Sequence, residues 1–523
     1  MNLIPNAAGS TPNYYCTWHT QNYGREDADR EPDIAVFEGD QGAKKARHFL
    51  NDDVVFGPGG MIRQFDRIRG DLYFVFDDGW DVPYGVHPDK QRYLFGSLLV
   101  DDVRFPSCAG TPAERLRKLN ERVKSFGWRG AGLWIAAQAL GEGKDGYFTN
   151  DVELERYWRE RARWSKEAGI DYWKVDWGAR SRSAKFREML TRVAAEEAPG
   201  LIVEHGRGCG PLNDSWTPWD PAEESGEGRF HAWGNGRVLA EALEMMAFSD
   251  VLRSYDITMH LSTATTLDRV ASLLERAEIR GGAAGLVNCE DELYLGAALG
   301  CTVGIMRSSL FKSIPGLNFD PRDTARATDE AVRAVRWQRI APAFGAAQGA
   351  ARLSDRVLTD TWRFRQGETW ATWLIGQEVK QACPAVVARN MDLPIVRADG
   401  EPPYVAASRH PNGAVAAAVL PRTTTARGIF APEARVELKV GTAASPVGLF
   451  GPFAAVELLY DEPIAGRRVW AQDLAGDEAE DITDRIEVDG GRLTIPGSVL
   501  RDVGLRAASP GDVSEPGLVV CVR

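Results

Sequence analysis

The sequence lacks the features of a membrane, secreted or nucleic-acid-binding protein. It has no apolar run of about 18 or more residues, the length that a membrane-spanning helix needs. Its first residues, MNLIPNAAGSTPNYY, show no basic segment followed by an apolar run, so we expect no secretory signal. The net charge of −12 disfavours a nucleic-acid partner. We expect a cytoplasmic protein with no membrane partner, and a homo-oligomer is left open.

Cysteine pairs and common catalytic motifs are also missing. The 7 cysteines are scattered and form neither a CxxC pair nor a zinc-ligand spacing, which favours reduced thiols. The chain has no GxSxG elbow, no Walker A loop, no HExxH and no GxGxxG that opens a helix. These absences argue against a serine hydrolase of that type, a P-loop nucleotide site and a dinucleotide site, and we expect no cofactor and no metal.

Tryptophan, in contrast, is abundant. There are 16 tryptophans, and 11 of them lie before residue 234. A flat indole ring covers the apolar face of a sugar, so clustered tryptophans are typical of carbohydrate-binding clefts, while a large core is the alternative interpretation.

Eight short apolar runs alternate with amphipathic helical segments over residues 1–345. Such runs are typical of parallel strands buried on both faces. Repeated strand–helix units predict a (β/α)8 TIM barrel, an α/β fold, with long insertions after the first, second and fifth runs. The predicted helices include residues 111–126, 150–168, 183–198 and 266–280. The runs are residues 13–18, 71–80, 130–138, 169–178, 200–208, 250–258, 284–292 and 300–308.

The pattern changes after about residue 345. Short alternating runs such as TWRFRQ, ARVELKV and GGRLTIP are divided by Gly, Pro, Asp and Asn. This pattern predicts a C-terminal antiparallel β-sandwich over residues 346–523.

Five of the eight runs end in acidic segments, and a carboxylate at the end of an apolar strand needs a partner or a site. A helix N-cap explains one such residue, but five together predict a site at the mouth of the barrel. Asp176 follows Lys174 by two residues, so both face one side, and the ammonium favours an ionised nucleophile. Asp256 suits the acid/base. Retaining glycosidases use two such carboxylates about 5–5.5 Å apart.

The order of these motifs resembles clan D glycoside hydrolases, the α-galactosidase and α-N-acetylgalactosaminidase group with its raffinose-synthase-like relatives. The matching positions lie at the ends of the first, second, fourth, sixth and seventh runs. They are Trp18, Asp77, Asp78 and Trp80 of DDGW, Lys174 and Asp176 of KVD, Arg253 with Asp256, and Asp291. The resemblance covers most of the chain and implies both domains.

The resemblance implies a retaining exo-glycosidase for a terminal α-D-galactopyranoside-like, or β-L-arabinopyranoside-like, sugar. Its partner would be a glycoside or oligosaccharide. Asp77 and Asp78 would bind the hydroxyls at C4 and C6, and Lys174 would reach O3 or O4. Glu204 and Arg253 would hold O2 and O3. Further pocket residues are His205 on the fifth strand and the walls Trp18, Trp80, Trp134 and Trp177.

The sequence also departs from the family pattern. The fifth strand ends in Glu204, His205 and Gly206 where the family often has Cys-Glu-Trp, and the spacing from Arg253 to Asp256 is short. Three alternatives stay open: a transglycosylase of the same clan, a non-catalytic carbohydrate-binding barrel, and a metal-dependent barrel hydrolase or lyase. The last would use Asp77, Asp78 and the acids at 290–292 as ligands.

Overall fold

The computed structural model describes residues 1–23, 50–86, 94–139, 150–206, 236–254, 260–276, 285–310, 326–365 and 375–523. It confirms a barrel followed by a β-sandwich. Within the described residues, eight parallel strands form one sheet in the order β7-β6-β5-β4-β3-β2-β1-β8, and a parallel bridge between Asn288 and Thr302 joins its ends. The strands are β1 (Asn13–Cys16), β2 (Leu72–Phe76), β3 (Gly130–Ile135), β4 (Tyr172–Val175), β5 (Ile202–Gly206), β6 (Val251–Arg253), β7 (Leu286–Asn288) and β8 (Gly304–Ile305).

The helices begin where polar capping residues precede apolar patterns. Thr111 and Glu114 form a capping box at the start of the helix Pro112–Ser125, and Asn150 caps the helix Asp151–Ala168, which ends at the left-handed Gly169. The helix expected at 266–280 begins earlier, at Ser262. The helices are α1 (Trp18–Tyr23), α2 (Asp52–Phe56), α3 (Pro112–Ser125), α4 (Asp151–Ala168), α5 (Ala184–Glu197), α6 (Gly236–Met246), α7 (Ser262–Arg276), α8 (Leu293–Ala298), α9 (Asp329–Ile340) and α10 (Gly497–Gly504).

Glycines on the strands make room for large side chains in the barrel interior. A Cβ on Gly304 would lie 2.5 Å from the ring of Tyr14, and a Cβ on Gly132 would lie 2.8 Å from Val75. Small and large inward residues on neighbouring strands therefore complement one another, as close packing requires.

The C-terminal sandwich has two main sheets, one of eight strands and one of five. The sheets are mixed, because three of their strand pairs are parallel: Val386–Arg389 with Tyr404–Arg409, Val415–Leu420 with Val447–Phe450, and Ala434–Gly441 with Phe453–Tyr460. Alternating hydrophobicity indicates which face of a strand is buried, not the direction of its neighbour, so the sequence could not distinguish the two arrangements.

The seventeen strands described beyond the barrel have the following bounds. They are β9 (Ala351–Leu353), β10 (Val357–Arg363), β11 (Glu378–Pro384), β12 (Val386–Arg389), β13 (Ile395–Arg397), β14 (Tyr404–Arg409), β15 (Val415–Leu420), β16 (Arg422–Thr424), β17 (Gly428–Phe430), β18 (Ala434–Gly441), β19 (Val447–Phe450), β20 (Phe453–Tyr460), β21 (Val469–Asp473), β22 (Glu480–Asp481), β23 (Glu487–Asp489), β24 (Arg492–Pro496) and β25 (Gly517–Val522).

The strands of the smaller sheet are ordered β13-β18-β20-β24-β23 and those of the larger sheet β22-β21-β25-β19-β15-β14-β12-β9. The larger sheet is buried on both faces. On β15, Ala416 and Ala418 join the core that includes the barrel helices, whereas Val415 and Ala417 join the core between the two sheets. Alternate residues of one strand thus serve two cores, which attaches the sandwich to the barrel. Among the described residues, no helix is long and apolar enough to cross a membrane.

Candidate active site

Inward-facing side chains of neighbouring strands meet at the C-terminal end of the barrel. Alternate residues of a strand face the interior, so β4 contributes Lys174 and, just past its last residue, Asp176. The register places Lys174 beside Glu204 of β5, and Gly206 of β5 beside Arg253 of β6. Charged residues from three strands are thereby brought together.

Asp176 is an acid of this group that reaches solvent, with 17% of its side chain exposed. Its Oδ1 lies 3.2 Å from a guanidinium nitrogen of Arg253, and its Oδ2 accepts a hydrogen bond from Nε1 of Trp134 at 3.0 Å. Burial has the largest effect on its pKa and raises it. Arg253, Lys174 and the indole N–H together outweigh burial and hold the pKa of Asp176 below its usual range. Asp176 is therefore an ionised, accessible carboxylate.

Lys174 is buried between two carboxylates. Its Nζ lies 3.0 Å from Oδ2 of Asp77 and 3.0 Å from Oε1 of Glu290, and it donates to Sγ of Cys16 at 3.3 Å. Burial is the largest influence and lowers its pKa, but Asp77, Cys16 and Glu290 outweigh it and hold the pKa of Lys174 well above its usual value. The charged ammonium thus connects β4 with β1, β2 and the end of β7.

Glu290 joins this cluster, whereas the structure places its predicted neighbour Asp291 elsewhere. Glu290 accepts from the hydroxyl of Tyr14 at 2.7 Å and from Arg253 at 3.4 Å. Asp291 has a φ of 57° and accepts from Nε of Arg307 at 3.0 Å. Glu290 is therefore the acid of this segment seen in contact with Lys174 and Arg253, whereas the prediction of substrate binding named Asp291.

His205 lies on the outer face of β5, opposite to Glu204. One ring nitrogen is 3.3 Å from Arg187 and the other is 2.9 Å from the hydroxyl of Thr191, both on α5. Burial first, and the charge of Arg187 second, lower the pKa of His205 well below its usual value. A neutral imidazole on this face holds α5 against the barrel and is separated by the strand from Glu204.

The predicted tryptophans differ in exposure. Trp177 is 37% exposed and Trp18 is partly exposed, whereas Trp80 and Trp134 are fully buried. Nε1 of Trp80 donates to the carbonyl of Trp134 at 2.8 Å, so Trp80 supports the end of β3. The rings of Phe95 and Trp134 lie 4.9 and 5.5 Å from that of Trp177. Trp18 and Trp177 are therefore the two that offer ring surface to a ligand.

Two further predicted residues remain. Asp78 is buried beside Asp77, and its backbone N–H donates to Oδ1 of Asp77 at 2.8 Å. Asp256, the predicted acid/base, lies outside the described residues.

Sequence reasoning missed three polar residues of the interior: Tyr14, Tyr172 and Asn288. Each stands two positions before a residue of the cluster, Tyr14 before Cys16, Tyr172 before Lys174 and Asn288 before Glu290. The period of two along a strand was the signal that could have found them.

The metal-dependent alternative requires acidic side chains that are arranged as ligands. Across the part of the chain that the structure describes, no group of three or more His, Cys, Asp or Glu side chains is arranged to hold a metal ion. Asp77 and Glu290, which the metal-dependent alternative needs as ligands, both contact the ammonium of Lys174.

Asp81, which follows Trp80, is a buried acid with incomplete hydrogen bonding. Its Oδ2 accepts from the backbone N–H of Leu98 at 3.1 Å and from Oγ of Ser97 at 3.4 Å. Its Oδ1 is buried and has no hydrogen-bond partner among the described residues. The pKa of Asp81 is raised to about 7, mainly because the carboxyl group is buried. Ionisation of Asp81 therefore opposes folding.

We expect Asp81→Asn to stabilise the protein increasingly as the pH rises. The pKa in the folded state lies above the unfolded value of about 3.9, so the wild type loses stability as the pH rises from about 4 through about 7. Asparagine carries no charge into the interior. Between about pH 5 and about pH 8, the free energy of unfolding of the variant minus that of the wild type should rise by roughly 2–3 kcal/mol, measured by urea unfolding.

The matched control is Asp53→Asn at an exposed position, which should keep the pH dependence of the wild type. An equal stability difference between Asp81→Asn and the wild type at both pH values would show that Asp81 titrates normally.

Comparison with known proteins gives structural neighbours only. No protein-family model and no curated protein matches the chain. Similar solved structures include a GH27 β-L-arabinopyranosidase from Geobacillus stearothermophilus, with 10% identity, 99% of this chain and 96% of that chain covered, and a TM-score of 0.40. A candidate α-galactosidase from Bacteroides fragilis has 12% identity, coverage of 98% and 79%, and a TM-score of 0.40. A candidate α-N-acetylgalactosaminidase from Bacillus halodurans has 11% identity, coverage of 100% and 99%, and a TM-score of 0.43. At these values the neighbours do not assign an activity to the chain.

Proposed function

We propose that the chain is a retaining exo-glycosidase for a terminal α-D-galactopyranoside-like, or β-L-arabinopyranoside-like, sugar. One observation carries the proposal: Asp176 is an accessible carboxylate that Arg253 keeps ionised and that the N–H of Trp134 orients. It stands at the C-terminal end of a barrel strand, where TIM-barrel enzymes hold their active sites. A carboxylate nucleophile of this kind is what double displacement requires.

The proposed reaction has two steps. A carboxylate oxygen of Asp176 attacks the anomeric carbon, the glycosidic bond breaks, and Asp256 gives a proton to the leaving oxygen. Asp256 then takes a proton from water, which attacks the anomeric carbon and releases Asp176. Two inversions give a product with the configuration of the substrate. The cations around Asp176 keep it unprotonated for the first step.

Sugar hydroxyls would find their partners next to the nucleophile. Asp77 and Lys174 lie 3.0 Å apart in the interior, and Asp78 follows Asp77 directly. Carboxylates accept from hydroxyls and an ammonium donates to them, so this group can bind several hydroxyls of one sugar ring. The partly exposed rings of Trp18 and Trp177 can cover its apolar face. The motif resemblance supports the assignment of these positions to a galactose-like sugar.

A panel of nitrophenyl glycosides, with the released sugar followed by NMR, tests the proposal. We expect turnover of the α-galactoside or the β-L-arabinopyranoside, with the configuration of the substrate in the first product. Inverted product would exclude Asp176 as nucleophile. Sugar binding without turnover would favour a non-catalytic barrel, and activity lost on treatment with a chelator would favour the metal-dependent alternative.

A further inference from the structure

Glu204 lies in the barrel interior and is surrounded by hydrogen-bond donors. Oε2 accepts from Tyr172 at 2.8 Å and from Asn288 at 2.7 Å, while Oε1 accepts from Arg253 at 3.2 Å. The hydroxyl of Tyr14 lies 3.3 Å from Oε1, but its single proton is shared with Glu290, which is closer at 2.7 Å. The side chain has no exposed surface. Three donors from three other strands therefore hold this carboxylate in one place.

Arg253 distributes its guanidinium nitrogens among three carboxylates. Nε donates to Glu204 at 3.2 Å, one terminal nitrogen donates to Glu290 at 3.4 Å, and the other lies 3.2 Å from Oδ1 of Asp176. The guanidinium is rigid and planar. The hydrogen bond from Nε of Arg253 to Glu204 therefore determines the position of the terminal nitrogen that lies nearest to Asp176.

The end of β5 leaves space for this arrangement. A Cβ on Gly206 would lie 2.5 Å from a terminal nitrogen of Arg253 and 3.1 Å from its Cζ. The strand thus supplies both the carboxylate that holds Arg253 and the gap that Arg253 fills.

Glu204 is also too deep for a ligand that reacts at Asp176. In the sheet it is level with Lys174, two residues before Asp176, which is a separation of about 6.6 Å along the strand. The long side chain of Lys174 reaches Asp77 and Glu290, which follow the ends of β2 and β7, whereas the shorter side chain of Glu204 stays among its three donors.

We propose that Glu204 is a positioning residue that fixes Arg253 against the nucleophile and does not touch the sugar. The inference rests on the proposed function and differs from the role in binding O2 and O3 that the family resemblance implies. Tyr172 and Asn288 affect Arg253 only indirectly, because they donate hydrogen bonds to Glu204. The recognition of O2 by this chain then involves no carboxylate from β5.

The test is Glu204→Gln. Glutamine has one acceptor oxygen and presents its amide donor to groups that are themselves donors, so Arg253 loses its fixed position. On the substrate identified by the glycoside panel, we expect kcat to fall about 10–100-fold with KM changed less than about threefold. The loss should be equal for the 2-deoxy and 3-deoxy analogues. The inference would be overturned if KM rose and if Glu204→Gln were as active as the wild type on the 2-deoxy or the 3-deoxy analogue. Glu204 would then bind the hydroxyl that this analogue lacks.

The control is Asp250→Asn, which changes a carboxylate that accepts from the backbone N–H of Val203 on the same strand. It should keep wild-type kinetics. Tyr172→Phe removes one donor to Glu204 without touching Arg253, and it should lower kcat by less than Glu204→Gln does. It serves as the test variant if Glu204→Gln does not fold.

Crystal structures separate this inference from the proposed function. In Glu204→Gln, or in Tyr172→Phe if the former does not fold, the nitrogen of Arg253 should move away from Oδ1 of Asp176, whereas Asp250→Asn should keep the 3.2 Å separation. An unmoved Arg253 would overturn the positioning role whether or not any glycoside is hydrolysed. Absence of turnover by the wild type on every glycoside would overturn the proposed function alone.

Discussion

Asp176→Asn is expected to lower kcat/KM for the nitrophenyl glycoside substrate by at least about 10⁴-fold, since loss of a covalent nucleophile removes the reaction path itself. Asparagine keeps the size of the side chain and can still accept from Nε1 of Trp134, so the fold should be retained. Steady-state kinetics and the thermal unfolding midpoint, measured on the same preparation, check both statements.

The matched control is Asp171→Asn, the same change at the residue that precedes β4 at its N-terminal end. Asp171 is exposed, and its backbone carbonyl accepts from Ile202 at 2.9 Å. It should keep wild-type kinetics. An Asp176→Asn variant with more than a few per cent of the wild-type activity would show that another group attacks the sugar.

Arg389→Ala is expected to have the largest effect on stability. Arg389 is 1% exposed and donates five hydrogen bonds to backbone carbonyls at 2.6–3.1 Å. Burial is the main cause that lowers its pKa to about 10. The accepting carbonyls belong to Leu299, Gly300, Phe344, Gly345 and Gly349.

Alanine would remove the N–H donors to the buried carbonyls of Leu299 and Phe344, whereas the carbonyls of Gly300 and Gly345 would keep one backbone donor each. It would also leave a gap beside Phe344, whose ring lies 3.7 Å from the guanidinium carbon. The free energy of unfolding should fall by roughly 3–5 kcal/mol, measured by urea unfolding. Arg389→Lys should recover only part of this loss, because an ammonium cannot reproduce the planar array of donors.

Arg352→Ala is the control for Arg389→Ala. Arg352 lies on the neighbouring strand β9, is 63% exposed and pairs with Asp392 at the surface. Its removal should cost less than about 1 kcal/mol. An equally small cost for Arg389→Ala would show that the contacts between β12 and the barrel contribute little to stability.

The sequence was sufficient to predict the barrel, because the strands of the barrel are short, apolar and separated by well-capped helices. Each of the eight predicted runs contains a strand, and Thr111 and Asn150 cap the two helices that they were expected to begin. The start of α7 was misplaced by four residues, since Ser262 to Thr265 are as buried as the apolar residues that follow them. Burial there comes from tertiary packing, which composition does not show.

Within the site, the sequence predicted which strand ends carry the charged residues more reliably than it predicted which face of the strand each side chain occupies. Lys174 and Asp176 were linked by the period of two, and the structure places both in the interior. The same rule separates Glu204 from His205 on β5, because neighbouring residues of a strand face opposite sides. It does not reach Glu290 and Asp291, which lie in the turn after β7, where Asp291 has a φ of 57°.

Distances across the barrel were not accessible to sequence reasoning at all. The contact between Lys174 and Glu290 joins residues 116 positions apart, and it depends on closure of the sheet. The full burial of Trp80 and Trp134 likewise follows from the packing of β2 and β3 against their surroundings. The sequence could predict tryptophans near the site, but not which of them present a ring surface.

The most direct test of the account is to trap the covalent intermediate. The enzyme would be treated with an activated 5-fluoro glycosyl fluoride of the preferred sugar, which forms the glycosyl-enzyme and hydrolyses slowly, and then analysed by intact-protein and peptide mass spectrometry. We predict a mass increase of one fluorinated sugar, located on the peptide that contains Asp176 and absent from Asp176→Asn. Label on any other residue, or turnover with inverted configuration and no label, would contradict the assignment of Asp176 as the nucleophile.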